Sequence, residues 1–121
     1  MNKIITVKLL AIGVIVMGFV HIGATFSPMI ADKLAPLSEG MQRACIYFSL
    51  MCGAMLILGG SIVNMLCGKA NEHTFLRTPL LLTYSMLVVD GILAVCFMPH
   101  NPCAWVIFVL SILLLVVPKY K

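Results

Sequence analysis

Ala44 to Leu66 reads ACIYFSLMCGAMLILGGSIVNML, 23 residues without one formal charge. A bilayer core about 30 Å thick is crossed by a helix of roughly 20 residues. In hydrocarbon every backbone N–H and C=O must be bonded within the segment, so an apolar run of this length is read as a helix. The period-two alternation of an outer-membrane barrel strand is absent. Three more runs flank it, from about Val7 to Phe26, Pro79 to Met98 and Cys103 to Val117. The first is broken only by Lys8, close enough to the end to reach the interface, and by His21. The third contains Asp90. The last is short, and either extends through Pro102 and Pro118 or sits where the bilayer is thinned.

The whole chain agrees with its runs. Of 121 residues, 62% are apolar and 10% charged, and the mean hydropathy is +1.12. Soluble domains carry about 25% charged residues, so a water-soluble globule is excluded. So is a disordered chain, which needs charge in place of apolar surface. The expected fold is all-α: a polytopic membrane protein, one transmembrane domain over residues 1–121 built as a four-helix bundle.

The connections carry the expected breaks. Ser27 to Arg43 is polar and holds Pro28, Pro36 and Gly40, with room for one short interfacial helix. Gly68 is placed to end the second span. Thr78 and Pro79 read as an N-cap and first helical residue, as do Asn101 and Pro102. The first run, longer than the 7–15 residues of a signal-peptide core and split by Lys8, is read as a retained span.

Positive charge orients the chain. With the N-terminus inside, Lys3, Lys8, Lys69, Arg77, Lys119 and Lys121 lie on the inner side, and only Lys33 and Arg43 outside. The expectation is N-in and C-in, in a bacterial inner membrane, with Trp105 and Tyr120 as interfacial anchors. The net charge of +4 then follows from topology and contact with anionic membrane lipid. Nucleic-acid binding needs a clustered basic face, which the sequence lacks.

Small and weakly polar residues form packing faces in lipid. Ala11, Gly18, His21 and Thr25 share one face of the first helix, Ser49, Gly53, Gly60 and Asn64 one face of the second, and Thr83, Asp90 and Ala94 one stripe of the third. A glycine face could also join copies of the chain in a homo-oligomer or meet a larger membrane partner. Asp90 stands apart, because an aspartate near a helix centre costs roughly 2.5–3.5 kcal/mol on insertion scales. It must face the interior and find a donor, or be neutralised by a proton. His21 is its natural partner: the two lie about 8 and 12 Å below the outer ends of their helices, at 1.5 Å per residue. Either they form a bond that sets helix register, or they belong to a functional polar pocket. Arg43, Tyr47 and His100, near the outer rim, complete such a candidate ligand site. His and Asp together can do acid–base work, but their spacing matches no catalytic motif.

Five cysteines are present, Cys45, Cys52, Cys67, Cys96 and Cys103, without a C-x-x-C pair. Cys96 and Cys103 bracket the outer hairpin and could form a disulfide in an oxidising compartment. With Met98 and His100 they could offer soft metal ligands, but the simpler reading is cysteine as a small apolar residue. The nine methionines are scattered and read as core filling. No cofactor is expected.

In size, span number and short outer hairpin, with Gly18-Phe-Val-His21 through Thr25-Phe26 and Asn101-Pro-Cys-Ala-Trp105, the chain resembles the broad class of small four-helix bacterial membrane proteins that includes the DoxX-like families. Members of that class have redox-linked, transport-linked or unknown roles, and the lack of a dithiol motif here departs from the redox one. The expected function is a small membrane protein that binds or helps move a small or lipid-like ligand, or serves as an accessory subunit. The alternative is a membrane-embedded enzyme, either an isomerase using His21 and Asp90 or a thiol oxidoreductase using Cys96 and Cys103.

Overall fold

The computed structural model of the protein describes residues 3–117. Among these there is no strand. The helices are α1 (Lys3–Thr25), α2 (Pro28–Leu34), α3 (Glu39–Leu66), α4 (Arg77–Phe97) and α5 (Pro102–Val116), with two short 3₁₀ turns, Lys69–Asn71 and Thr74–Leu76, between α3 and α4. Three helical stretches, Lys3–Thr25, Glu39–Leu66 and Thr74–Phe97, are long and apolar enough to cross a membrane; α5, at 15 residues, is shorter. A short helix, α2, lies in the segment after the first run where one was expected. Lys119, Tyr120, Lys121 and Pro118 lie outside the described residues.

Two helix starts behave differently. Asn101 caps α5 as expected, its side-chain oxygen accepting from Cys103 N–H at 3.0 Å, with Pro102 in the first turn. Thr78 does not cap α4. That helix already begins at Arg77 behind the 3₁₀ turn, so Thr78 and Pro79 lie inside its first turn, where a missing proline N–H costs no helical bond. Gly68 follows the end of α3 but keeps a right-handed backbone (φ −71°, ψ −35°), so the chain passes directly into the 3₁₀ turn. Arg77 Nε–H donates to the Ala70 carbonyl at 3.3 Å and ties this loop to α4. At the opposite end, Trp105 Nε1–H donates to the Pro99 carbonyl at 2.9 Å and pins the α4–α5 connection.

α1 packs against α3 and α5, and α4 packs against the same two, leaving α1 and α4 diagonal. The closest pairing is α1 with α3, antiparallel, along small residues seven apart. A Cβ on Gly18 would sit 2.8 Å from the Gly53 carbonyl oxygen, and one on Gly60 would sit 2.8 Å from that of Ala11. The two backbones therefore touch, which only small residues allow and which maximises dispersion contact where no hydrophobic effect drives association. The stripes on the first two runs thus face each other within the chain, so this glycine seam is not free to join copies. Gly91 does the same for α4 and α5: its Cβ would lie 2.9 Å from Phe108 Cα.

The outside differs from that of a soluble protein, and small and hydroxyl residues join the apolar core inside. Gly18, Gly53, Gly60, Thr83 and Ser111 are buried, whereas Phe97 is 81% exposed and Met65 73%. Apolar surface this extensive is stable only against lipid or a partner. Three hydroxyls on α3, α4 and α5 are satisfied without water. Ser61, Thr83 and Ser111 each donate to the carbonyl four residues earlier, at 2.7, 2.8 and 2.8 Å, the usual resort of Ser and Thr in a helix.

The core is not centred. Val7, Ala11, Val14, Leu56, Val63, Leu80, Tyr84, Leu87 and Leu114 gather toward the end that holds the start of α1 and the α3–α4 loop. Toward the other end, where α1 meets α2 and α4 meets α5, α1 and α3 stay in contact but α3 and α4 separate.

Candidate functional site

The separation encloses a cavity of about 760 Å³, within the range that holds small ligands. α3 contributes Phe48, Cys52 and Leu56, and α4 contributes Asp90, Leu93, Ala94 and Phe97. α5 closes the back with Cys103, Ala104 and Ile107, and His21 enters from α1. Phe48, Leu93 and Phe97 are 65%, 50% and 81% exposed, so the cavity opens sideways between α3 and α4, past apolar side chains. A smaller space of about 170 Å³ lies on the other side of His21, against Met17 and Val20 of α1 and Met29 and Ile30 of α2. His21, Asn101, Cys103 and Ile107 line both.

His21 is held by a short chain of hydroxyls. Thr25 Oγ1 donates to the His21 carbonyl at 3.0 Å. Its proton is thereby used, so in the 2.6 Å contact between Thr25 Oγ1 and Ser49 Oγ the serine is the donor. Ser49 must then accept in its 3.2 Å contact with His21 Nε2, which places a proton on Nε2 and, in the neutral ring, leaves Nδ1 without one. Ser49 accordingly has no base to deprotonate it, and the trio is not a nucleophile–base pair.

Asp90 lies in the cavity wall. Its carboxylate makes no hydrogen bond or ion pair among the described residues, although His21 is near enough to act on it electrostatically. The expected pair therefore shares a cavity rather than a bond. The other expected site residues are elsewhere. Arg43 pairs with Glu39 one turn away, at 2.5 Å, with both side chains more than three-quarters exposed. Tyr47 packs edge-on against Phe48, and His100 is exposed in the α4–α5 connection; none of these three lines the cavity. Cys96 and Cys103 are unbridged, as are the other three cysteines, and only Cys103 of the two reaches the cavity. Among the described residues no three His, Cys, Asp or Glu side chains gather to hold a metal ion.

Sequence reasoning missed Phe48, Cys52, Leu93 and Phe97 as walls. Cys52 and Leu56 follow Ser49 at three and seven residues, which is the spacing of one helix face. That places them beside the packing stripe but does not say that the stripe stops being packed there. Cys67, beyond the end of α3, is 3% exposed. Burial pushes its thiol up, with Lys8 opposing more weakly, so it holds little thiolate, the reactive form, at neutral pH. Comparison of the chain with protein-family models, curated proteins and solved structures gave no match.

Proposed function

We propose that the chain crosses a bacterial inner membrane four times, with both termini on the cytoplasmic side, and that it binds or helps move a small or lipid-like ligand in an outward-facing cavity. Six positive charges against two support that orientation. The fourth crossing is α5. At 1.5 Å per residue its 15 residues span about 22 Å, so the bilayer thins around it. Four short helices are few for a complete transport path, so transport would require further copies or a larger membrane partner, with this chain as the binding subunit.

The observation that carries the ligand reading is the position of His21 and Asp90 in the wall of a cavity of about 760 Å³. A pair kept only for register would be in direct contact and dry. The sideways opening past Phe48, Leu93 and Phe97 faces the acyl chains and suits a ligand that arrives through the membrane. The test is purification in nanodiscs followed by mass spectrometry of what remains bound. A discrete small molecule or lipid is expected with the native protein, and about ten-fold less of it in both His21→Ala and Asp90→Asn, with the helical melt intact. Equal retention by both variants would remove the site.

The enzyme reading keeps one supporting feature: two titratable groups flank a space that could hold a substrate, as an acid–base isomerase requires. Chemical change of the recovered molecule on incubation with the protein would favour it. The thiol version is weaker, because Cys96 stands outside the cavity.

Orientation has its own test in single-cysteine variants. A membrane-impermeant maleimide applied to spheroplasts should label Cys96, which is exposed, within minutes. Cys67 should stay unlabelled, and in detergent should still react at least about ten-fold more slowly than Cys96 because its thiol is buried. Rapid labelling of Cys67 from outside would invert the topology.

A further inference from the structure

We infer that the ligand of the α3–α4 cavity is a lipophilic monocation, an apolar body carrying one quaternary or protonated amine-type charge. This rests on the reading of the cavity as a ligand site and adds the chemical class. The charge balance of the wall carries it. Among the described residues Asp90 is the only acidic side chain there, and no lysine or arginine lines the cavity. The remaining titratable groups, taken helix by helix, are His21 from α1, Cys52 from α3 and Cys103 from α5. None of the three is bonded to the Asp90 carboxylate.

Each class of ligand meets a different wall. An anion would face a carboxylate without a countercharge, in surroundings that screen little. A neutral apolar molecule would fill the space but offer Asp90 neither a countercharge nor a hydrogen-bond partner, which is costly. A monocation supplies the countercharge that the Asp90 carboxylate lacks, in place of the proton that would otherwise neutralise it. It also finds Phe48 and Phe97 in the same wall, whose ring faces attract cations most strongly where water is excluded. Met98 adds a polarizable thioether at the connection end. The hydroxyl chain gives His21 a matching role. With its Nε2 proton committed to Ser49, the neutral ring has only an acceptor left to offer, which suits a cationic ligand and not an anionic one. The opening between Phe48 and Leu93 requires the rest of the ligand to be lipophilic.

The experiment uses the full chain in nanodiscs and three probes of similar bulk: tetraphenylphosphonium, triphenylphosphine oxide and tetraphenylborate, each corrected for uptake by empty nanodiscs. Tetraphenylphosphonium is expected to bind, and to bind about ten-fold or more weakly to Asp90→Asn. The neutral oxide should bind less well and be indifferent to that change, and the borate should not compete. Ala94→Phe and Cys52→Phe, which fill the cavity from α4 and α3, should abolish binding of every probe; two are used in case one perturbs folding, which the helical melt reports. If the three probes bind alike, Asp90→Asn changes nothing and the filling variants still abolish binding, the cavity is a ligand site and the cation inference is wrong. If no probe binds in a way that the filling variants abolish, both readings fall.

Discussion

Leucine in place of Gly18 will lower the stability of the fold by about 3 kcal/mol, the upper part of the range for overpacking, and alanine there by about 1–2 kcal/mol. Already the Cβ would meet the Gly53 carbonyl oxygen at 2.8 Å and Ile57 Cγ1 at 2.7 Å. The isoleucine can turn away, but the carbonyl belongs to a helix backbone and cannot. α1 and α3 would have to part along their whole length, losing the contacts that hold them together in lipid. Gain in intrinsic helix propensity on replacing glycine, at most about 1 kcal/mol, opposes this without cancelling it. Gly60→Leu should cost a similar amount through the Ala11 carbonyl, 2.8 Å from its Cβ. Two turns separate the sites, so the effects should nearly add. Gly18 and Gly53 face each other, so their effects should not. Gly23, with nothing within 4 Å of its Cβ, is the control and should accept alanine with no loss. Unfolding by SDS titration in mild detergent measures all of these. A Gly18→Leu variant as stable as the native chain would mean that the α1–α3 contact is not formed as described.

Asp90→Leu will have the opposite sign. The carboxylate has no bonded partner among the described residues, and an aspartate near the middle of a span costs roughly 2.5–3.5 kcal/mol to insert. Part of that cost is also paid in the detergent-unfolded state, so a gain of about 1–2 kcal/mol in stability is expected, together with loss of ligand. His21→Ala should instead lose about 1 kcal/mol, because it removes the bond to Ser49 and leaves that hydroxyl without its donor. The two members of the expected pair are thus separable: one contributes to the fold, and the other costs it stability and is explained by function, the familiar trade at binding sites. SDS titration beside a ligand-retention assay reads both quantities. Were Asp90→Leu to destabilise by as much as His21→Ala, Asp90 would be a structural group with a partner, and its role in the cavity would have to be given up.

Much of the architecture was legible in the residues themselves. Runs of apolar residues near 20 long are local features, and each maps onto a helix with ends displaced by a few residues. Asn101 and Pro102 start α5 because a cap and a proline act within their own turn. Thr78 and Pro79 misled because the 3₁₀ turn at Thr74–Leu76 already supplies the helix start, and nothing in those two residues reports what precedes them. The stripes through Gly18 and through Gly53 and Gly60 pointed to packing faces, since small residues in lipid have few other uses.

The site was legible only as its two most costly residues. Arg43, Tyr47 and His100 lie toward the same end of the bundle as His21 and Asp90, and that much follows from counting residues. Direction does not, because a helix that turns by one residue moves its side chains by 100°. Arg43 therefore finds Glu39 on its own helix, and Tyr47 turns to Phe48, away from the cavity that Phe48 lines.

By itself, then, the sequence determined that this chain is helical, suited to a membrane and burdened with one costly carboxylate, because span length, charge and the cost of an aspartate in hydrocarbon are properties of single segments. Only the tertiary structure decided what lies between His21 and Asp90. α1 and α3 close to backbone contact through glycine, whereas α3 and α4 meet through leucines at one end and separate at the other. The distance between helices depends on the side chains of both, so a cavity is a property of pairs of segments and cannot be read from either alone.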